Sequence, residues 1–200
     1  MIITTEQLKE VSGCDYYDGS LIHDRFAYKI FKKQVVPIGN IVAFRAPMEV
    51  TENLVDLEDS LNKDYIYSED ALNFCIELPI TNLYGGVCFQ RLFNHILGTA
   101  ISQVVEAPVE MKGDDIMIHK EHDQGGVIQQ QGKCSVSIAC EKNGAILIHT
   151  GINVKAGDKA PAFAFSTNLT DEQCQDIMTY ACDMFYNTSH DLFVSTSKVI

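Results

Sequence analysis

Residues 132–154, GKCSVSIACEKNGAILIHTGINV, constrain the fold more than any other stretch of this chain. Cys134, Val136, Ile138 and Cys140 recur at every second position, the period of a strand with one buried face. Lys133, Ser135 and Ser137 are therefore expected on the opposite face. Lys142-Asn143-Gly144 supplies turn chemistry, because Asn-Gly readily takes the positive φ that a tight hairpin demands. A second run starts at Ala145, and along it His149, Gly151 and Asn153 point the same way. Pairing of the two strands is expected to bring a lysine, two hydroxyls, a histidine and an asparagine onto one surface. Such a surface is more typical of a ligand site than of a solvated sheet face.

The rest of the chain supplies helices and further strands. Asp18-Gly19-Ser20 is a turn, and residues 21–33 read as a helix with Leu21, Ile22, Phe26, Ile30 and Phe31 as its apolar stripe. Residues 34–44 read as one strand, or two short ones, broken at Pro37-Ile38-Gly39. The acidic stretch 53–63 is a surface connection or a short helix, and residues 73–80 read as a buried strand. Residues 87–106 carry the clearest helical period, with Pro108 beyond its end. Strands are expected over 108–112, 115–119 and 127–131, followed by the hairpin. A last helix starts near Thr170, where Thr170 and Gln173 resemble a capping box; residues 189–200 continue it or form a separate helix. The sum is a single α+β domain over residues 1–200, with a mixed or antiparallel sheet and packing helices.

Composition narrows the function. A formal charge of −12 leaves no basic surplus to neutralise a nucleic-acid backbone, although one nucleotide in a local pocket is compatible with it. No apolar run approaches membrane-spanning length, and the first residues lack the pattern of a signal peptide. Seven cysteines without a C-x-x-C pair indicate neither a disulfide framework nor a cysteine zinc site. A soluble, cytoplasmic protein is expected.

Two resemblances meet in these residues. Asp18-Gly19-Ser20, Val42-Ala43-Phe44-Arg45, Val55-Asp56-Leu57-Glu58, residues 74–77, Gln90-Arg91-Leu92, Gly113-Asp114-Asp115-Ile116, residues 133–139 and residues 148–154 together resemble the uncharacterised prokaryotic family catalogued as domain of unknown function 366. Ala46 stands where that pattern has glycine, and Asn73 where it has histidine. Gly132-Lys133, followed by a strand, a turn and His149-Thr150-Gly151-Ile152-Asn153-Val154, is similar to the core of biotin and lipoate protein ligases and octanoyl transferases. The resemblance implies a ligase-like α+β fold and places Lys133 where the family lysine approaches an acyl-adenylate or acyl-enzyme. The glycine-rich and arginine-rich loops of those enzymes are missing, and Tyr84-Gly85-Gly86 is the one candidate glycine cluster. Cys174 is the nearest cysteine in the place of the transferase nucleophile, but it lies on the apolar face of the last helix and reads as structural.

Individual residues carry paired readings. Lys133 is a point charge for a phosphate or carboxylate, or a solvated strand end. His149 is a catalyst or a hydrogen-bonded core residue. Asp114 and Asp115 hold a divalent cation, a ribose or an amine, or simply make a turn with Gly113. Arg45 pairs with an acid or reaches a ligand anion, and Glu77, an unusual charge for a buried strand, is expected to pair with Arg45 or Arg91. Gln90 and Arg91 lie near a helix start, where an anion is welcome. His119 and His122 with Glu121 and Asp123 suggest a metal cluster, though the glycine-bearing sequence reads as a hairpin loop. The resulting expectation is a small-molecule enzyme that binds a nucleotide-like or acyl-adenylate-like ligand and transfers or activates an acyl group. Lys133 and His149 are the candidate catalytic residues; Arg45, Asp114, Asp115, Ser135, Ser137, Gly151 and Asn153 are the candidate ligand contacts. No metal site is assigned, and ATP with Mg²⁺ is the candidate cofactor. The alternatives are a non-catalytic metabolite-binding or protein-interaction module on the same fold, and an enzyme acting on a heterocyclic base in the same pocket.

Overall fold

A computed structural model of the chain describes residues 1–31, 39–79, 81–122 and 128–199. Strands β1 (Asn40–Val50), β2 (Ile66–Leu78), β6 (Ser135–Lys142) and β7 (Ala145–Lys155) form an antiparallel sheet in the order β1-β2-β7-β6. Strands β3 (Val109–Lys112), β4 (Asp115–His122) and β5 (Ile128–Lys133) form a second, smaller antiparallel sheet. The chain passes from the small sheet to the large one at Cys134, whose N–H donates to Ile116 O at 3.0 Å. Strand β7 is buried along nearly its whole length, which explains its continuous apolar run better than a half-exposed strand would.

The large sheet is covered on both faces. On one face lie α4 (Leu83–Val105) and α5 (Asp171–Thr196), whose Phe93, Leu97, Ile101, Ile177 and Phe185 pack on Leu72, Phe74, Ile76, Ile146 and Ile148. On the other lie α1 (Thr5–Ser12), the 3₁₀ turn Ser20–His23 and α2 (Phe26–Phe31), which with the segment joining the first two place Leu8, Tyr17, Leu21 and Phe26 against Val42, Phe44, Met48 and Cys75. The N-terminal segment also pairs with the outer strand. Ile3 N–H donates to Ala43 O, and Tyr17 N–H to Pro47 O. These contacts occupy an edge that would otherwise be open to another chain.

Several boundaries differ from the sequence expectation for identifiable reasons. The helix expected over 21–33 breaks after the 3₁₀ turn because Asp24 is extended and accepts from its neighbour Arg25; positions 32–38, including the expected break at Pro37, lie outside the described residues, as do Ile80, Val127 and Ile200. Strand β1 runs on past Phe44 to Val50 and accommodates Pro47 at a bulge, where no ladder N–H is required. Helix α4 begins earlier than position 87, since Asn82 caps it by accepting from Gly85 N–H at 2.9 Å. Tyr84-Gly85-Gly86 is therefore a first helical turn and not a ligand loop. A Cβ on Gly86 would lie 2.4 Å from Ile146, so the glycine lets α4 approach the sheet. At α5 the capping box of Thr170 and Gln173 is present, and the helix runs unbroken to Thr196. The acidic stretch holds the short helix α3 (Leu57–Asn62), capped by Asp56.

Glu77 is buried at 2 % exposure, and its partner is neither Arg45 nor Arg91 but Arg25. Arg25 Nε donates to one carboxylate oxygen, and Tyr28 N–H donates to the other at 3.2 Å. This pair fastens α2 and the 3₁₀ turn to β2. Removing one partner strands a buried charge, so Arg25→Ala is expected to cost about 3 kcal/mol in urea unfolding. Arg25→Ala combined with Glu77→Leu is expected to recover most of that loss. Equal destabilisation by both variants would show that the pair contributes through packing and not through charge.

Candidate functional site

The N-terminal segment leaves part of its sheet face uncovered, and a cavity of about 550 Å³ opens there. Val136, Ile138, His149 and Asn153 line it from β6 and β7, with Tyr17, Ile22 and Val50 beside them. Side walls come from the α3 stretch, the β3–β4 turn with Lys133, and residues 161–164. Its charges are strongly unbalanced. Among the described residues Asp56, Glu58, Asp59, Asp64, Asp114 and Asp115 line it, against the single cation Lys133.

Lys133 ends β5 at the cavity, its ammonium 2.7 Å from Asp115 Oδ1 and 5.8 Å from the centre of the Phe163 ring. Gly132 before it is needed for packing: a Cβ there would lie 2.4 Å from Phe165. Asp115 is thus Lys133's partner. Asp114 stands 3.7 Å from Arg91, and its carbonyl accepts from Asn94 Nδ2 at 2.8 Å.

His149 is buried, with its ring stacked on Tyr17 at 3.7 Å between centroids and 6° between planes. Asn73 uses its amide N–H groups on the carbonyls of Ala46 and Ala71, so its Oδ1 faces the imidazole and accepts from His149 Nε2 at 3.0 Å. Nδ1 is then a bare acceptor without a hydrogen-bond partner among the described residues. Burial pushes the imidazole down to about 3, which keeps it neutral at physiological pH.

Asn153 is 4 % exposed and lines the same cavity. Its backbone is fully used: N–H donates to Cys134 O, and its carbonyl accepts from the Thr167 N–H and hydroxyl. Its side-chain amide has no partner among the described residues and is not sealed from the cavity. Buried amides are nearly always hydrogen-bonded, so this one is available to a ligand.

The single polar face expected from the sequence does not form. Ile138 pairs with His149, Val136 with Gly151 and Ser137 with Thr150, and directly opposed residues share a face. Ser135 and Ser137 consequently turn toward α4, away from His149. Both border the cavity, but their hydroxyls are committed elsewhere. Ser135 Oγ accepts from Ile116 N–H at 2.8 Å, and Ser137 joins a chain running from Gln90 through Thr150 to Asn94. The alternation breaks at Cys134, which sits in the helix-side core while Val136 lies on the other face. Gly151 is a packing glycine: a Cβ would come within 2.4 Å of Met48 Sδ. Arg45 also faces the helix layer, paired with Leu72, and binds Asp70 through two nitrogens and Asp171 at 2.6 Å. It fastens the start of α5 to the sheet and does not line the cavity.

Among the described residues no activated thiol stands in the cavity. Cys174 is buried in the helix-side core and burial raises its pKa, while burial pushes Cys134 up to about 12. His119 pairs with Glu110 at 3.1 Å, Asp123 lies outside the described residues, and no group of three or more metal-ligating side chains occurs among those that are described. Sequence reasoning missed Tyr17, for which nothing in the pattern gives a signal. Asn73, a polar residue inside an apolar strand, does carry such a signal. The acids of α3 are visible as a charged run, but only the fold brings them to the rim of the cavity.

The fold is that of biotin and lipoate ligases. A protein of unknown function from Pyrococcus horikoshi superposes with a TM-score of 0.75, at 24% identity over 92% of each chain. A Thermoplasma acidophilum protein described as a candidate lipoate protein ligase, with lipoic acid bound, matches at a TM-score of 0.54, with 16% identity over 84% of this chain and 80% of that one. The biotin protein ligase of Aquifex aeolicus in complex with biotin and ATP gives 0.50, with 15% identity over 82% of this chain and 66% of that one. Residues 8–200 match the family model described as Domain of unknown function (DUF366). No curated protein matches.

The neutral imidazole makes a checkable contribution to acid sensitivity. The unfolded chain takes up a proton on His149 near 6.5, whereas the folded chain does so only near 3. Its contribution to stability is whole above 6.5 and is lost as pH falls toward 3, by at most about 1.4 kcal/mol per pH unit. Urea unfolding between neutral pH and about pH 4 is expected to show a steeper loss for the wild type than for His149→Gln. Parallel curves would mean that the folded protein protonates His149 freely.

Proposed function

The chain belongs to the DUF366 family, and from that premise we propose that it binds a small organic molecule in the cavity over β6 and β7. The observation that carries this reading is Asn153: a buried carboxamide, unpartnered among the described residues, on the cavity face. Four residues back along the same strand, about 13 Å away at the backbone, the neutral His149 offers Nδ1 as an acceptor, and Val136 and Ile138 offer an apolar surface. A few placed polar groups on an apolar wall are how compact ligands are oriented. His149 acts here as a fixed orienting group, because an imidazole held near 3 is a poor general base at neutral pH. Seven free cysteines fit a reducing compartment, and cytoplasmic residence is part of the proposal.

ATP without a bound metal ion does not fit these residues. A triphosphate brings several negative charges to a wall of carboxylates whose one lysine already binds Asp115. The glycines of Tyr84-Gly85-Gly86 that would have cradled phosphates are helical. The wall has carboxylates that would hold Mg²⁺, but among the described residues it has neither a free lysine nor a glycine loop to cradle the phosphates, which disfavours ATP-driven acid activation. Acyl transfer from an already activated donor is the second reading, favoured by the position of Lys133 at the cavity. Its ammonium would stabilise negative charge developing on a carbonyl oxygen.

A thermal-shift screen of compact heterocyclic amides and of ATP, with and without Mg²⁺, tests both readings. Stabilisation is expected from heterocycles, with affinity falling about tenfold in Asn153→Ala, the value of a lost hydrogen bond. Pyrophosphate release from ATP with a carboxylic acid, abolished in Lys133→Ala, would overturn the proposal in favour of acid activation.

A further inference from the structure

Resting on the reading of this cavity as a small-molecule site, we infer that its ligand is a cation: an amine or amidine at the α3 side, joined to an amide or ring-nitrogen edge that meets Asn153. The acidic wall is not neutralised from within. Glu58, Asp59 and Asp64 make no ion pair with any described residue, and Lys133, the only cation among the described residues of the cavity, is held by Asp115. The second observation is independent of charge. Asn153 is 4 % exposed, and its amide is directed to the cavity without a partner among the described residues. A ligand therefore meets a neutral hydrogen-bonding floor and a negative wall.

Asp59 is the carboxylate of α3 most affected by this arrangement. It is half-buried, and burial together with the charges of Asp56 and Asp64 holds its carboxyl above the usual range, Lys133 offsetting this only partly. An ammonium group brought to the wall would relieve that repulsion, whereas a carboxylate or phosphate would add to it. The apolar surface of Val136 and Ile138 suits the connecting ring or chain. The ligand class that satisfies all three surfaces is a small amide- or heterocycle-bearing amine, positive at neutral pH.

A matched set of probes separates charge from shape: para-aminomethylbenzamide, para-methylbenzamide and para-carboxybenzamide share the ring and the amide but are cationic, neutral and anionic. Affinities for the full chain are measured by ligand-observed NMR at low and high salt, for the wild type, Asp59→Asn and Asn153→Ala, with melting curves confirming that each variant folds. The amine is expected to bind about tenfold tighter than the neutral probe at low salt, and the carboxylate weakest, with the preference shrinking as salt screens the wall. Asp59→Asn, on an exposed helix, is expected to weaken the amine about threefold to tenfold more than the neutral probe. Asn153→Ala should weaken all three alike. A neutral or anionic probe that binds as tightly as the amine, and still depends on Asn153, would overturn the cationic assignment while leaving the small-molecule site standing. Absence of binding by all three, or binding indifferent to Asn153→Ala, would overturn both.

Discussion

The register of β7 between β2 and β6 is the constraint on which the rest of the structure depends. His149 lies opposite Cys75 on one side and Ile138 on the other, and every neighbour follows from those pairings. Because successive side chains alternate, a slip of one residue would send His149 and Asn153 into the helix layer and Ile148 and Ile152 into the cavity. Both faces of β7 are buried, so the apolar residues on one side and the tightly fitted ones on the other resist such a slip together. Gly151 beneath Met48 and Gly86 beside Ile146 mark places where one extra methyl group would force the layers apart.

Hydrogen bonding then divides the polar residues by role. On the helix side, Gln90, Ser137, Thr150 and Asn94 satisfy one another, and the chain ends on the backbone of the β3–β4 turn. On the cavity side, Asn73 satisfies two carbonyls and fixes the tautomer of His149, while Tyr17 covers the ring. Asn153 differs from all of these because its side chain is left over. Buried polar groups are costly unless paired, and this leftover amide facing the cavity is the observation on which the proposed ligand site rests.

Electrostatics separates this cavity from what the ligase fold alone would suggest. Proteins sharing the architecture have been solved with lipoic acid, or with biotin and ATP. Here the wall is acidic, and the lysine matched by the resemblance is paired with Asp115. A shared fold sets where a cavity can form, while the side chains on its walls set what it holds.

The hairpin around Asn143-Gly144, the long helix before Pro108, the capped last helix and the α+β class were all legible in the sequence, because turn chemistry, helical period and capping act over a few residues. His149 and Asn153 were also visible as polar residues in an apolar strand, Lys133 as a charge at a strand edge, and Asp114 and Asp115 as a carboxylate pair at a turn; all five line the cavity. What local pattern did not carry was which side each of them faces. The turn at Cys134 reset the alternation, so Ser135 and Ser137 went to the helices; Arg45 followed the parity of β1 to Asp70 and Asp171; and Glu77 found Arg25 from a segment 52 residues away. Tyr17 and the acids of α3 joined the site by the same kind of long-range packing. Residue type and period were settled by the sequence itself, since they rest on neighbours along the chain. Partner and facing were decided only in the tertiary structure, since they rest on register between strands far apart in it.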